Sequence, residues 1–245
     1  FYIAASHDID FPAGADNHGL HFYAVDGAGA LTLASYFARP ALAQQEIKSL
    51  QVDGETLVFE ISTDANGTYR DLNVLSMSSS FGLSFFQTPF RPESFSAAEV
   101  NAVGDVDGDA YFFYTRADNQ NIAWISVTSS GFGLFQGQIF GSGEGGEAAV
   151  ATDMELVSVE GESYLITSSQ DEGLQSFDVN SISSMSRVDV ASNGSVLNGW
   201  NASEIASFDY KGRAFIVSAG PDLTVFEVTN EGEFFLSAQV DNARG

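Results

Sequence analysis

The chain has 245 residues, 44% hydrophobic and 13% aromatic, which supplies a packed core and is too apolar for a disordered segment. Asp and Glu number 33 against 9 Lys and Arg, a net charge of −24 that repels phosphate backbones and argues against a nucleic-acid partner. Cysteine is absent, which excludes disulfides and thiolate metal sites, and no apolar run is long enough for a membrane-spanning helix.

The predicted elements begin at once. Tyr2-Ile3-Ala4 reads as a strand with no initiator Met before it, and the expectation is a piece of a longer protein. A long polar connection, Ser6 to His21, leads into a second strand, Leu20…Tyr23…Val25, and a third follows at Leu31-Thr32-Leu33. Pro40–Gln45 is the one stretch with helical character, a single turn between units.

From there a four-strand unit recurs. It opens with a short strand ending in a tight turn: Val52-Asp53-Gly54, Val106-Asp107-Gly108, Val159-Glu160-Gly161 and Tyr210-Lys211-Gly212. Asp-Gly and its relatives supply the positive φ angles that two-residue hairpins need. The second strand follows directly as Leu57-Val58-Phe59, Tyr111-Phe112-Phe113, Tyr164-Leu165-Ile166 and Phe215-Ile216-Val217, apolar on both faces as for a strand between two sheets. The third reads Leu72…Leu75…Met77, Ile122…Ile125…Val127, Leu174…Phe177…Val179 and Leu223…Phe226…Val228, and Leu20…Tyr23…Val25 is its first copy. The fourth is the least regular, at Phe81–Phe86, Phe132–Phe140 and Phe234-Phe235-Leu236.

A period of about fifty residues built from short strands is the signature of a propeller array. The fold predicted is all-β: a β-propeller of four-stranded antiparallel blades within one domain, residues 1–245, with repeats near 1–37, 46–86, 99–140, 153–190 and 203–240. The first repeat lacks its innermost strand. Unpaired edges invite aggregation, so the expectation is a fragment of a larger ring of about six to eight blades.

The unit Val-x-Gly-x-x-Tyr-Leu-Ile…Asp-Glu-Gly-Leu-x-x-Phe-x-Val, from Val159 to Val179, resembles the blades of bacterial secreted propellers. These include lactonase-like seven-bladed propellers and the propeller domains of RTX-type calcium-binding exoproteins. The resemblance implies the fold and an extracellular or cell-surface bacterial setting. The chain departs from both patterns: the RTX Gly-Gly-x-Gly-x-Asp nonapeptides are missing, and no residue set matches a lactonase site position by position.

Candidate chemistry sits in three places. The connection Ser6 to His21 is the longest of its kind and carries or adjoins every histidine, so His7, Asp8, His18 and His21 are candidate ligands for a divalent metal. Asp105, Asp107 and Asp109 resemble the acidic opening of a calcium loop. The repeat, however, sets Asp107-Gly108 level with Lys211-Gly212, and a Lys in that place shows that the turn needs no cation. Finally, Glu46, Glu99, Asp153 and Glu204 each open an innermost strand, where they would form carboxylates at a channel mouth that attract cations or amines.

The function these features suggest is a non-enzymatic extracellular binding or assembly module. Its rigid blades would present variable loops to a protein partner or to flanking domains, with calcium or another divalent cation as a structural helper. Two alternatives stand beside it. One is a lactonase-type hydrolase with a metal or acid–base site at the channel mouth. The other is a structural subunit of a surface fibre or particle.

Overall fold

The computed structural model describes residues 2–7, 19–38, 43–63, 70–78, 83–90, 100–115, 121–128, 131–139, 151–169, 172–182, 185–192, 204–219 and 222–240, some strand segments by backbone alone. Every regular element among them is a β-strand. No helix there is long and apolar enough to cross a membrane.

Sheet I has three strands, β1 (Tyr2–His7), β2 (Gly19–Val25) and β3 (Leu31–Ala38). Sheet II has four: β4 (Ala43–Val52), β5 (Glu55–Thr63), β6 (Arg70–Met77) and β7 (Leu83–Phe90). Sheet III is β8 (Asn101–Val106), β9 (Asp109–Thr115), β10 (Ile122–Thr128) and β11 (Gly131–Ile139). Sheet IV is β12 (Asp153–Val159), β13 (Glu162–Ser169), β14 (Gly173–Asp178) and β15 (Ser186–Ala191). Sheet V is β16 (Glu204–Tyr210), β17 (Arg213–Ala219), β18 (Leu223–Val228) and β19 (Phe234–Val240). Strand order follows the chain in every sheet. This is the four-stranded antiparallel blade of a β-propeller, repeated at the predicted interval, with three strands of the first blade among the described residues. The helical turn expected at Pro40–Gln45 is corrected in part: Ala43–Gln45 already belong to β4, which takes up a register shift between Gln44 and Glu46 instead of coiling. Pro40 lies outside the described residues.

The hairpins between first and second strands form as the turn residues dictate. Asp53, Asp107, Glu160 and Lys211 all sit near φ 51–55°, each followed by a glycine between 75° and 96°. Two successive positive φ angles make a type I′ turn, whose twist matches that of the flanking strands. The closing pairs are Val52↔Glu55, Val106↔Asp109, Val159↔Glu162 and Tyr210↔Arg213.

The chain divides into two compact units, one of Phe1–Ala97 with Thr128–Gly131 and one of Ala98–Val127 with Phe132–Gly245. In the first, Phe22 of sheet I packs on Val58 and Leu75 of sheet II. In the second, a core that includes Phe113, Trp124, Met154, Leu165 and Phe177 fills the space between sheets III and IV. A second core, including Val157, Tyr164, Ile166, Ile216 and Phe226, fills the space between IV and V. Each fully buried aromatic or aliphatic side chain stabilises such a layer by about 1.5–3 kcal/mol.

Candidate functional site

The strand-start residues gather at one end of each sheet. Asp153 is the first residue of β12 and pairs with Ser168 near the end of β13, while Glu204 opens β16 opposite Ala219, the last residue of β17. This is the end at which the second strand connects to the third. Glu46 pairs with Ile61 at the same end of sheet II, and its side chain lies outside the described residues, as does the whole of Glu99.

The two carboxylates that are described differ in their employment. Asp153 is half-buried, and both its oxygens accept backbone amides: Met154 N at 2.8 Å and Ile205 N of the neighbouring sheet at 2.8 Å. It holds the innermost strands of sheets IV and V together at their starts. Glu204, one residue before that clamp, is exposed to solvent. A solvent-facing carboxylate next to a fixed one is an arrangement in which Glu204 is available to a ligand and Asp153 sets its position.

The histidine connection belongs to sheet I. Asp8 and His18 lie outside the described residues. His7 ends β1 opposite Gly19, and His21 lies in β2 opposite Ala5, so the two histidines occupy diagonal register positions. The register of His21, which follows Leu20, also matches that of Asn73, Gln175 and Thr224, which follow Leu72, Leu174 and Leu223 in their third strands. Among the described residues no group of three or more His, Asp or Glu could hold a metal ion.

The Asp105–Asp109 segment lies at the other end of its strand from the strand starts. It forms the β8–β9 hairpin, with the Asp105 carboxylate accepting the Gly108 amide at 2.8 Å and so closing its own turn. Asp107 occupies the left-handed position of that turn. The nearby Tyr111 phenol is pushed above its usual range, first by burial and then by the Asp109 and Asp107 charges.

The repeat also carries a feature not anticipated from the apolar runs. Directly after the second-strand triplet comes a buried polar residue facing a buried polar partner: Glu60↔Asn73, Thr167↔Gln175 and Ser218↔Thr224. In each of these sheets the pair lies just below the strand-start end. The polar residue after three of the five triplets, where Ala5 and Tyr114 follow the other two, was the sequence signal available for it. A cavity of about 140 Å³ between β12 and β16, lined by Leu156, Ser158, Ser207, Phe208 and Asp209, lies toward the hairpin end instead. It is smaller than the ~300 Å³ at which ligand pockets usually begin.

No family model matches the chain, and no curated protein matches it. Solved structures do. A family 117 glycoside hydrolase, Zg3597 from the marine bacterium Zobellia galactanivorans, is similar at 11% identity and TM-score 0.59 over 83% of this chain and 71% of that one. An α-L-arabinofuranosidase from Clostridium thermocellum (CtGH43) is similar at 14% identity and TM-score 0.57 over 98% and 90%. The Aleuria aurantia lectin, solved with α-methyl-L-fucoside, is similar at 13% identity and TM-score 0.58 over 100% and 79%. Identities this low establish a shared propeller fold. The lactonase-like and RTX-type specifics of the sequence resemblance find no support in these neighbours. The reading as a non-enzymatic binding or assembly module is likewise corrected: the neighbours are mostly glycoside hydrolases, and it is the hydrolase alternative that they favour.

Proposed function

We propose that this chain is a carbohydrate-active hydrolase that cleaves glycosidic bonds at the strand-start end of its blades. The observation that carries the proposal is the match to glycoside hydrolases of two families over 83% and 98% of this chain. The acidic strand starts say where the chemistry would sit. Glycoside hydrolysis asks for two carboxyl groups flanking the scissile bond, one protonating the leaving oxygen and the other activating water or attacking the anomeric carbon. Glu204, which opens β16, and Glu99, which precedes β8 in the sequence, are the two glutamates we assign to these roles. Asp153 acts as a positioning residue, because its oxygens are already held by two amides. The acidic surface suits an uncharged or cationic glycan better than a sulfated one.

The test is turnover by single variants. Glu204→Gln and Glu99→Gln should each lower reducing-end release from a responsive glycan by at least about a hundredfold, while the thermal midpoint stays near that of the parent. Glycan binding with no turnover in the parent chain would contradict the proposal.

A further inference from the structure

Sheet IV departs from the repeat at two positions, and the two side chains meet. In sheets I, II and V the residue opposite the middle hydrophobic of the third strand is itself apolar: Tyr23↔Leu33, Leu75↔Phe85 and Phe226↔Leu236. In sheet IV it is Arg187, opposite Phe177. Two residues before the third-strand pattern begins at Leu20, Leu72, Ile122 and Leu223 stand His18, Arg70, Gln120 and Pro221, whereas Glu172 stands two before Leu174. Arg187 Nη1 lies 3.5 Å from Glu172 Oε2.

A buried amide fixes that carboxylate. Gln175 is fully buried and lies on the same face of β14 as Phe177, which belongs to the core between sheets III and IV. Its Nε2 donates to Glu172 Oε2 at 3.0 Å. The Glu172 amide in turn donates to the Ser169 hydroxyl at 3.4 Å, and Gly173 follows at φ 91°. The Glu172 and Arg187 side chains stay 44% and 35% exposed. Both contacts to the carboxylate use Oε2, and among the described residues Oε1 has no partner. Sheet IV packs between sheets III and V of one compact unit, so the arrangement is complete within that unit.

Stability alone does not account for the trio, since an ion pair this exposed contributes little and the Gln175 bond mainly offsets the cost of burying its amide. The product is a carboxylate oxygen held in place beside a guanidinium. It sits in the connection from second to third strand, at the end of the blade where Glu204 of the next sheet is exposed. We propose that Glu172 and Arg187 form a subsite for two neighbouring hydroxyls of one sugar residue. Glu172 Oε1 accepts from one hydroxyl, and the guanidinium, a planar fork of donors, donates to the oxygen of the other. A vicinal diol offers a donor and an acceptor side by side, whereas a sulfate or a carboxylate supplies no donor for Oε1. The inference rests on the carbohydrate-active reading above and adds the residues that hold the glycan.

Calorimetric titration with arabinotetraose, xylotetraose and galactotetraose tests it, in the Glu204→Gln background so that binding is read without cleavage. At least one tetraose should bind. Glu172→Ala and Arg187→Ala, both at exposed side chains, should each weaken that binding by about 10- to 100-fold, the loss of a charge-assisted hydrogen bond, with the thermal midpoint near that of the background. Glu172→Gln, which keeps the side chain's shape, should weaken it by about tenfold. Arg213→Ala, which removes the ion pair to Glu227 at the hairpin end, should bind as the background does. Undiminished binding by the Glu172 or Arg187 variants overturns the subsite, and so does a chain that binds none of the three. Cleavage by the parent with undiminished binding by these variants would sink the subsite alone. Binding that they weaken, with no cleavage by the parent, would sink hydrolysis alone.

Discussion

The Asp153 carboxylate accepts the Ile205 amide across the gap between sheets IV and V at 2.8 Å, and its second oxygen accepts the amide of Met154. One side chain thus fixes two innermost strands at the end where the candidate chemistry lies. A strand-start acid can hold blades together as well as line a mouth, and in Asp153 the first role takes both oxygens.

Removing that clamp should loosen the blade pair. Asp153→Ala leaves the Ile205 amide without this acceptor and should cost about 1–3 kcal/mol, read as a lower urea midpoint. Asp153→Asn keeps one acceptor oxygen and should lose less. If Asp153 were itself the catalytic acid, the Asn variant would be inactive at near-parent stability, and the positioning role would be wrong.

The Tyr164 hydroxyl donates to Asn230 O at 2.7 Å from within the IV–V core. Its pKa is raised first by burial, then by the charges of Asp178, Glu162 and Glu231. The sign follows from linkage. With the folded pKa above the unfolded value of ~10, the unfolded chain loses the proton first, so stability is intact below about pH 10 and declines as pH rises beyond it. Tyr164→Phe should cost about 1 kcal/mol near neutrality through the lost hydrogen bond. It should also flatten, without abolishing, the fall in thermal midpoint above about pH 10, since Tyr111 is raised as well. An alkaline slope identical to that of the parent would contradict this.

Lys211 sits at φ 54° in the β16–β17 turn, a conformation that costs a side chain other than Gly or Asn about 1–2 kcal/mol. Its ammonium lies 4.9 Å from the Tyr210 ring, a contact that offsets only part of the cost. Lys211→Asn should therefore stabilise by about 0.5–1 kcal/mol, and Lys211→Val should destabilise by at least as much. Thermal midpoints of the pair check both directions.

The hairpins were legible because their chemistry is local. Asp53-Gly54 and its three counterparts form the same turn whether or not a blade packs beside them, and that made the register of the four-stranded blades readable. The buried polar pairs were harder to see. Thr167 and Ser218 read as edges of apolar runs, and only their cross-strand partners Gln175 and Thr224 show that a pair forms. The Asp105 carboxylate could be read as a calcium ligand or as a turn cap, and its hydrogen bond to Gly108 N is a contact no spacing rule supplies. The division between Asp153 and Glu204 was invisible for the same reason. Both open innermost strands in the same register, and what separates them is a single amide on the adjoining sheet.

The most direct test of glycoside hydrolysis is reducing-end release by the parent chain and Glu204→Gln across arabinan, xylan, galactan and the matching aryl glycosides. We predict release from at least one substrate by the parent and its near-complete loss in Glu204→Gln at unchanged fold. Absence of release from every substrate, or equal release by parent and variant, would contradict the account.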